Sequence, residues 1–412
     1  MAGVKPVTRA VFDAHAPVAR DAMHNSTVAG RGALLAVVAA FTVVTIGGTL
    51  PTPMYSQYAD SMALDPLSVT LLFAVYVGGV VMALLVAPVA AASLGGKGLT
   101  LAALAIAAAS SCLFVRADSV AWLMSARLLS GISVGLIANS ATTLLLELES
   151  ARPSRASGMA ITANAGGLAT GALAAGLAVE NLPGPTTTTY VVHLALVGIT
   201  TLGLHAIRRI EQRQVAPSGR ITPRCPREIR KDFPAALAAA GMGFAFTGVF
   251  TAASGLLVRN SLGHDNAIMA GLPTFLAFGG MVIGQICVRD LNVQRSGARS
   301  ALACICAAGL FVVALRYEAP LWLLTSAAMV GIPTGAGLKV GLTATVGKSQ
   351  VADRPSVTSL YFVCLYSLLA LPALILGVLA AHIGLTSAGS ILAYALGGLS
   401  VVALLRFVRR AS

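Results

Sequence analysis

Twelve apolar stretches of roughly 17 to 28 residues follow one another along this chain, separated by short polar gaps. The hydrocarbon core of a bilayer is about 30 Å thick, so a helix needs about 20 mostly apolar residues to cross it. Backbone groups cannot face lipid unpaired, which leaves helices as the form such stretches take. Composition agrees, with 57% of the 412 residues hydrophobic and only 10% charged, a balance no ordinary soluble domain shows. The sequence therefore predicts an all-α polytopic membrane protein surrounded by the lipid bilayer. Spans are expected near 33–55, 67–92, 98–115, 119–147, 157–179 and 189–207, then near 234–257, 267–288, 299–315, 320–346, 356–382 and 386–405.

The net charge of +13 would suit nucleic acid if the basic side chains formed one surface. They are instead divided among separate gaps, and the division is one-sided. If the amino terminus is cytoplasmic, that side receives 23 of the 28 Lys and Arg residues, while the other receives only Arg116, Arg259 and Arg316. This is the positive-inside pattern, so both termini are expected in the cytoplasm and no nucleic-acid partner is expected. The expected organisation is a polar cytoplasmic tail at 1–32, a six-span bundle at 33–207, a basic linker at 208–233, a second bundle at 234–405 and a short tail at 406–412. The tail has no signal-peptide core, and the short loops favour a bacterial inner membrane.

The long linker divides the spans six and six, and a repeat with an offset of 200 to 202 is visible across it. Gly131 and Gly135 in the fourth span answer Gly331 and Gly335 in the tenth. Gly78-Gly79 answers Gly279-Gly280, and Arg152-Pro153-Ser154 answers Arg354-Pro355-Ser356. An even number of spans per half gives both halves the same orientation, hence two parallel repeats about an axis along the membrane normal. Close glycine spacing is also what lets transmembrane helices touch, so packing is the first role of each of these residues.

At this point the chain resembles the major facilitator superfamily over everything after the tail. Arg127, Gly131 and Gly135 match that superfamily's fourth-helix motif, in which the Arg serves the transport cavity. Between spans two and three, Pro88 to Lys97 keeps Gly95 and Lys97 of the family's loop, while Ala92 and Ser93 stand where its Asp and Arg would be. Asn164, Gly166, Gly167, Gly171 and Gly176 are similar to part of the antiporter signature of the fifth helix, with Ala169-Thr170 replacing its Gly-Pro pair. The resemblance implies a secondary transporter that moves a small organic molecule by alternating access, most readily a proton-coupled exporter acting as a monomer. An organic-anion importer or exchanger is the alternative, and a transport-dead sensor or scaffold a third.

Ionisable groups inside spans are costly and usually face a bundle interior or water. Arg127 and Lys339 are the two basic ones, and Asn139 is the repeat counterpart of Lys339. Other polar residues that can line a pathway are Thr45, Tyr55, Asn164, Gln285 and Tyr361, though each is equally able to tie two helices together. Tyr55 lies in Pro51-Thr52-Pro53-Met54-Tyr55, where two prolines break the helix. The fifteen acids fall in tails, loops or span ends, which leaves Asp60 and His193 as candidates for proton coupling. Ser133 satisfies a G-x-S-x-G pattern, but a nucleophile elbow needs a strand-to-helix turn and this serine is mid-helix. No enzyme activity, cofactor or metal is expected, since the six cysteines show neither zinc nor disulfide spacing.

The charge bias makes topology testable. Cysteines introduced at Ser61 and Asn181 should react with an impermeant thiol reagent in intact cells, and one at Ser218 should stay unlabelled. Labelling of Ser218→Cys from outside would reverse the orientation.

Overall fold

The computed structural model describes residues 16–207, 225–350 and 353–411. Residues 1–15 of the expected polar tail and the linker arginines from Arg208 to Arg224 lie outside those residues. The elements are α1 (Ala16–Thr49), α2 (Pro51–Met62), α3 (Pro66–Val115), α4 (Val120–Leu148), α5 (Pro153–Asn181) and α6 (Pro185–Ala206) in the first half. The second half holds α7 (Phe233–Leu256), which runs on through a π-turn at Leu257–Ser261, then α8 (Ala267–Cys287), α9 (Val293–Tyr317), α10 (Pro320–Thr345), α11 (Arg354–Ile383) and α12 (Leu385–Ala411). Among the described residues there is no strand.

Eleven of the helical segments are long and apolar enough to cross a bilayer. One of them, α3, has 50 residues, which at 1.5 Å each is about 75 Å and far too long for a single crossing. Gly95 divides it. With φ 70° and ψ 168° this residue sits in a region open essentially to glycine alone. The contacts on either side show that the chain turns back there. Before Gly95, the carbonyls of Tyr76 and Val80 meet Gly131 and Gly135 of α4, a parallel register. After it, Thr100 bonds Ser140 and Ser110 bonds the Ala126 carbonyl, an antiparallel one. Twelve crossings result, α1 and α2 together forming the first.

Both ends of the first crossing differ from the sequence reading, as do the start of α9 at Val293 and the end of α12 at Ala411. The first helix begins at Ala16 rather than near residue 33, because hydropathy marks the membrane-buried part of a helix, not its start. The first crossing also runs on to Met62, so Asp60 is on a helix end rather than in a loop. At the start of α3, Asp65 accepts from the Ser68 N–H at 2.9 Å, and this cap holds its carboxyl below the usual carboxylate range.

The repeat seen in the sequence is a repeat of contacts. Gly131 and Gly135 lie against the backbone of Tyr76 and Val80, while Gly331 and Gly335 lie against that of Ala277 and Met281. Likewise Ser110 of α3 bonds Ala126 of α4, and Ser326 of α10 bonds Ala307 of α9. The two halves meet along α5–α8, where Gly176 rests on Ala267 and Gly271 on Ala172, and along α3–α11, where Gly377 rests on Thr70. Large apolar side chains such as Ile199, Leu202, Leu321 and Leu405 are exposed on the bundle's outside, as a lipid-facing surface requires.

Each glycine pair contains its own control. A Cβ at Gly131 or Gly335 would collide with backbone, whereas Gly78 and Gly279 have nothing within 4 Å. Gly131→Ala and Gly335→Ala should therefore lower the melting temperature of the purified protein. Gly78→Ala and Gly279→Ala should leave it unchanged or raise it, since Ala favours helix over Gly by about 1 kcal/mol. Equal effects at all four positions would remove the close-packing account.

Candidate functional site

The site begins at the helix break in the first crossing. Pro51 has no N–H to give to the Gly47 carbonyl, so the α-helical ladder stops at Leu50 and resumes as α2. The Gly47 carbonyl is thereby left for another donor. Ser130 of α4 donates to Gly47 at 3.3 Å, and Arg127 Nη1 donates to Gly48 at 2.9 Å. Arg127 is fully buried, at 0% exposure. Its guanidinium carbon lies 4.5 Å from the Tyr76 ring centre and 5.7 Å from that of Tyr55, a cation–π arrangement. Tyr58 and Tyr190 are buried alongside Tyr55 in the same cluster.

This cage satisfies only part of the guanidinium. Nε and Nη2 of Arg127 meet no acceptor in hydrogen-bond geometry, while the Tyr55 hydroxyl lies close to the guanidinium and the Tyr58 and Tyr190 hydroxyls lie close to each other. Arginine stays charged under all ordinary conditions, and a buried charge normally needs a counter-charge. None is supplied by the chain: among the described residues no Asp or Glu is buried. The site is a fixed cation with two free donors in a wall of phenols, suited chemically to a planar or tetrahedral oxyanion.

Beside it, a cavity of about 10 Å³ is lined by Gly47, Ser110, Ser111, Phe114, Ser130, Ser133, Tyr190 and His193, among others. Phe114 and Tyr190 stack at 4.4 Å to form one wall. His193 is 3% exposed and bonds Ser111 Oγ at 2.8 Å and the Val43 carbonyl at 2.9 Å. A Cβ on Gly47 would fall 2.7 Å from its ring, so the glycine that frees a carbonyl for Ser130 also seats the imidazole.

The other residues singled out from the sequence are dispersed. Thr45 bonds the Ala163 carbonyl, and Gly167 and Gly171 rest on α1, so this group joins α1 to α5. Tyr361 donates to the Ala236 carbonyl at 2.9 Å and joins α11 to α7. Asp60 is exposed and pairs with Arg259 at the far end of α7, across the two halves. His382 bonds its own helix at Val378. Lys97 donates to the Ile207 carbonyl at 2.6 Å, tying the turn after Gly95 to the end of α6, while Ala92 and Ser93 form no ion pair in the described set. Asn164 stands near Tyr366 of the other half, and Asn139 is half-buried on α4. In the second half Lys339 donates to the Gln285 backbone carbonyl at 3.0 Å, and the Gln285 amide, 4% exposed, has no partner at either end.

Arg127 and Tyr55 are thus brought together, with His193 adjacent through Gly47. Tyr58, Tyr76, Tyr190 and Ser111 complete the region and were not singled out in advance. The one sequence signal for them is Tyr58, a single turn beyond Tyr55 on the same helix.

Two six-helix repeats in one orientation, with polar groups gathered in the interior, define a polytopic membrane protein of the transporter fold. Residues 33–371 match the Major Facilitator Superfamily, and the chain belongs to that family. Among solved structures it is similar to a mutant of the nucleoside transporter NupG, with TM-score 0.69 and 13% identity over 92% of this chain and 99% of that one. It is also similar to the human organic anion transporter MFSD10 (TETRAN), with TM-score 0.63 and 16% identity over 91% and 99%. No curated protein matches the chain at the sequence level.

Proposed function

We propose that this transporter carries small organic anions bearing a carboxylate, sulfonate or phosphate group, with Arg127 as the anion anchor. The observation that carries the reading is the buried guanidinium with Nε and Nη2 unpaired and no buried carboxylate among the described residues. An anion entering the cage accepts the two donors that the protein leaves free, and each such charge-assisted bond contributes about 1.5–3 kcal/mol. Within the export of a small organic molecule expected from the sequence, a lipophilic cation is disfavoured as the substrate because it would meet Arg127 with no acid to offset the repulsion.

Lys339 and the unpartnered Gln285 amide offer a second polar station in the other half. Arg127 lies about 10 Å along α4 from Val120, and Lys339 about 28 Å along α10 from Pro320, at 1.5 Å per residue. Both helices run in the same direction, so the two cations stand at different depths. A small anion meets them in succession rather than together, one nearer the Asp60 face and one nearer the opposite face.

Purified protein and Arg127→Gln are compared by thermal shift and by counterflow in proteoliposomes. The probes are benzenesulfonate, phenyl phosphate and succinate, with tetraphenylphosphonium as the cationic contrast. At least one anion should stabilise the parent protein, and Arg127→Gln should weaken it about ten- to a hundredfold. Arg127→Lys should not restore it, because an ammonium lacks the forked donors. Stabilisation by tetraphenylphosphonium alone, or anion effects indifferent to Arg127→Gln, would overturn the reading.

A further inference from the structure

His193 has complete hydrogen bonding in two protonation states. A carbonyl only accepts, so the contact with Val43 at 2.9 Å requires Nε2 to carry a hydrogen in both. Nδ1 is 2.8 Å from Ser111 Oγ, and that hydroxyl is also 3.0 Å from the Ala107 carbonyl. In the neutral ring the Ser111 hydroxyl donates to Nδ1. When a proton arrives at Nδ1, the new N–H donates to Ser111 Oγ and the hydroxyl hydrogen turns to Ala107. The imidazole gains a charge without losing a bond, and only a hydroxyl rotates.

The surroundings suit a transferable proton. The cavity beside the ring, about 10 Å³, has room for about one water molecule. Ser110, Ser130 and Ser133 line it, and each spends its hydrogen on a backbone carbonyl, Ala126, Gly47 and Ser130 respectively. Their oxygens remain as acceptors, which favours a positive charge. The charged and titratable groups around the ring are few. Tyr190 is one turn away on α6, and α4 brings Arg127 one turn from Ser130. Tyr55 and Tyr58 of α2 stand by Arg127, while the cavity-lining residues of α1 and α3 are not titratable. The same two glycines connect both sites: Gly47 seats His193 and Gly48 holds Arg127.

From this geometry we propose that His193 is the proton-binding site that couples proton movement to anion movement, making the protein a proton–anion symporter. This rests on the anion reading of Arg127. With Arg127 uncompensated, a second positive charge in the same buried region is repelled; with an anion on Arg127, the proton can load on Nδ1. Binding of one then favours the other by the same factor, as linkage requires.

The test uses the full chain in proteoliposomes with benzenesulfonate, phenyl phosphate and succinate in turn. An inward proton gradient should drive uphill uptake in the parent protein. In His193→Gln, uphill uptake should fall about tenfold and counterflow exchange should lose its acceleration at acid pH, the pattern of lost coupling. Ser111→Ala, which keeps the imidazole and removes only the Nδ1 partner, should reduce uphill uptake in the same direction. In parallel, ¹⁵N-histidine spectra of the parent should show a signal, absent from His193→Gln, that passes from the Nε2–H tautomer to the doubly protonated ring between about pH 5 and 8. Gradient-driven uptake undiminished in His193→Gln overturns the proposal, as does a ring that stays neutral across that range or is neutral as the Nδ1–H tautomer. Lack of exchange with all three anions is the separate failure of the anion reading, and the symport proposal falls with it.

Discussion

Helices in lipid gain little from hiding apolar side chains, since the hydrocarbon around them is equally apolar, and this bundle depends instead on close approach of backbones at glycine. The same pair of contacts, glycine against carbonyl, is built twice, once by Gly131 and Gly135 of α4 against α3 and once by Gly331 and Gly335 of α10 against α8. It sets the distance between second and fourth crossings and between eighth and tenth. The position of Arg127 follows, because it lies one turn before Gly131 on a helix whose rotation that contact fixes. Tyr76, whose carbonyl meets Gly131, is thereby also the residue whose ring lies under the guanidinium.

Placing a charge at full burial is costly, and the chain meets part of the cost with a broken helix. The prolines at 51 and 53 would be defects in a simple spanning helix. Here Pro51 frees the Gly47 carbonyl for Ser130, and the Gly48 carbonyl beside it accepts from Arg127. Irregular backbone at membrane depth is tolerated where it is covered by protein, and α4, α3 and α6 cover it. What the carbonyl and rings leave unmet, two guanidinium donors, is the part of the charge that remains for a ligand.

The fold was legible because its determinants are one-dimensional. Span length, loop charge and the repeat offset can all be counted along the chain, and the structure reproduces the offset as matching contacts. Helix ends were less legible: hydropathy cannot see that α1 continues back to Ala16 through polar residues. The site was legible in part. An Arg amid apolar residues announces itself, and paired prolines mark a break. Thr45 and Tyr361 announce themselves equally, yet each satisfies a neighbouring helix's carbonyl, and the pattern along the sequence is the same whether a polar group meets a carbonyl or a substrate. Tyr55 is legible from its prolines, but the rest of the tyrosine cage is not, because its members come from α2, α3 and α6 and only the crossing angles bring them together.

The contacts between the halves bear on how easily such a bundle switches. The loop after the second crossing lacks the acid and the arginine that its family resemblance calls for, and Lys97 is engaged with the end of its own half instead. On the opposite face Asp60 pairs with Arg259, and the Glu180 carboxylate caps the first N–H of α8 at Ala267. Exposed pairs of this kind are worth about 0–1 kcal/mol each. Latches this weak cannot hold one conformation strongly against another, so the balance rests on packing along α5–α8 and α3–α11, which a rocking motion can roll over without breaking. A bound ligand shifts such an equilibrium only by its differential affinity for the two states, and where the protein's own bias is small, a few charge-assisted bonds to Arg127 are enough to move it. Under the anion reading proposed above, the same donors that make the buried cation costly in isolation are the ones that drive the conformational change when an anion takes them up.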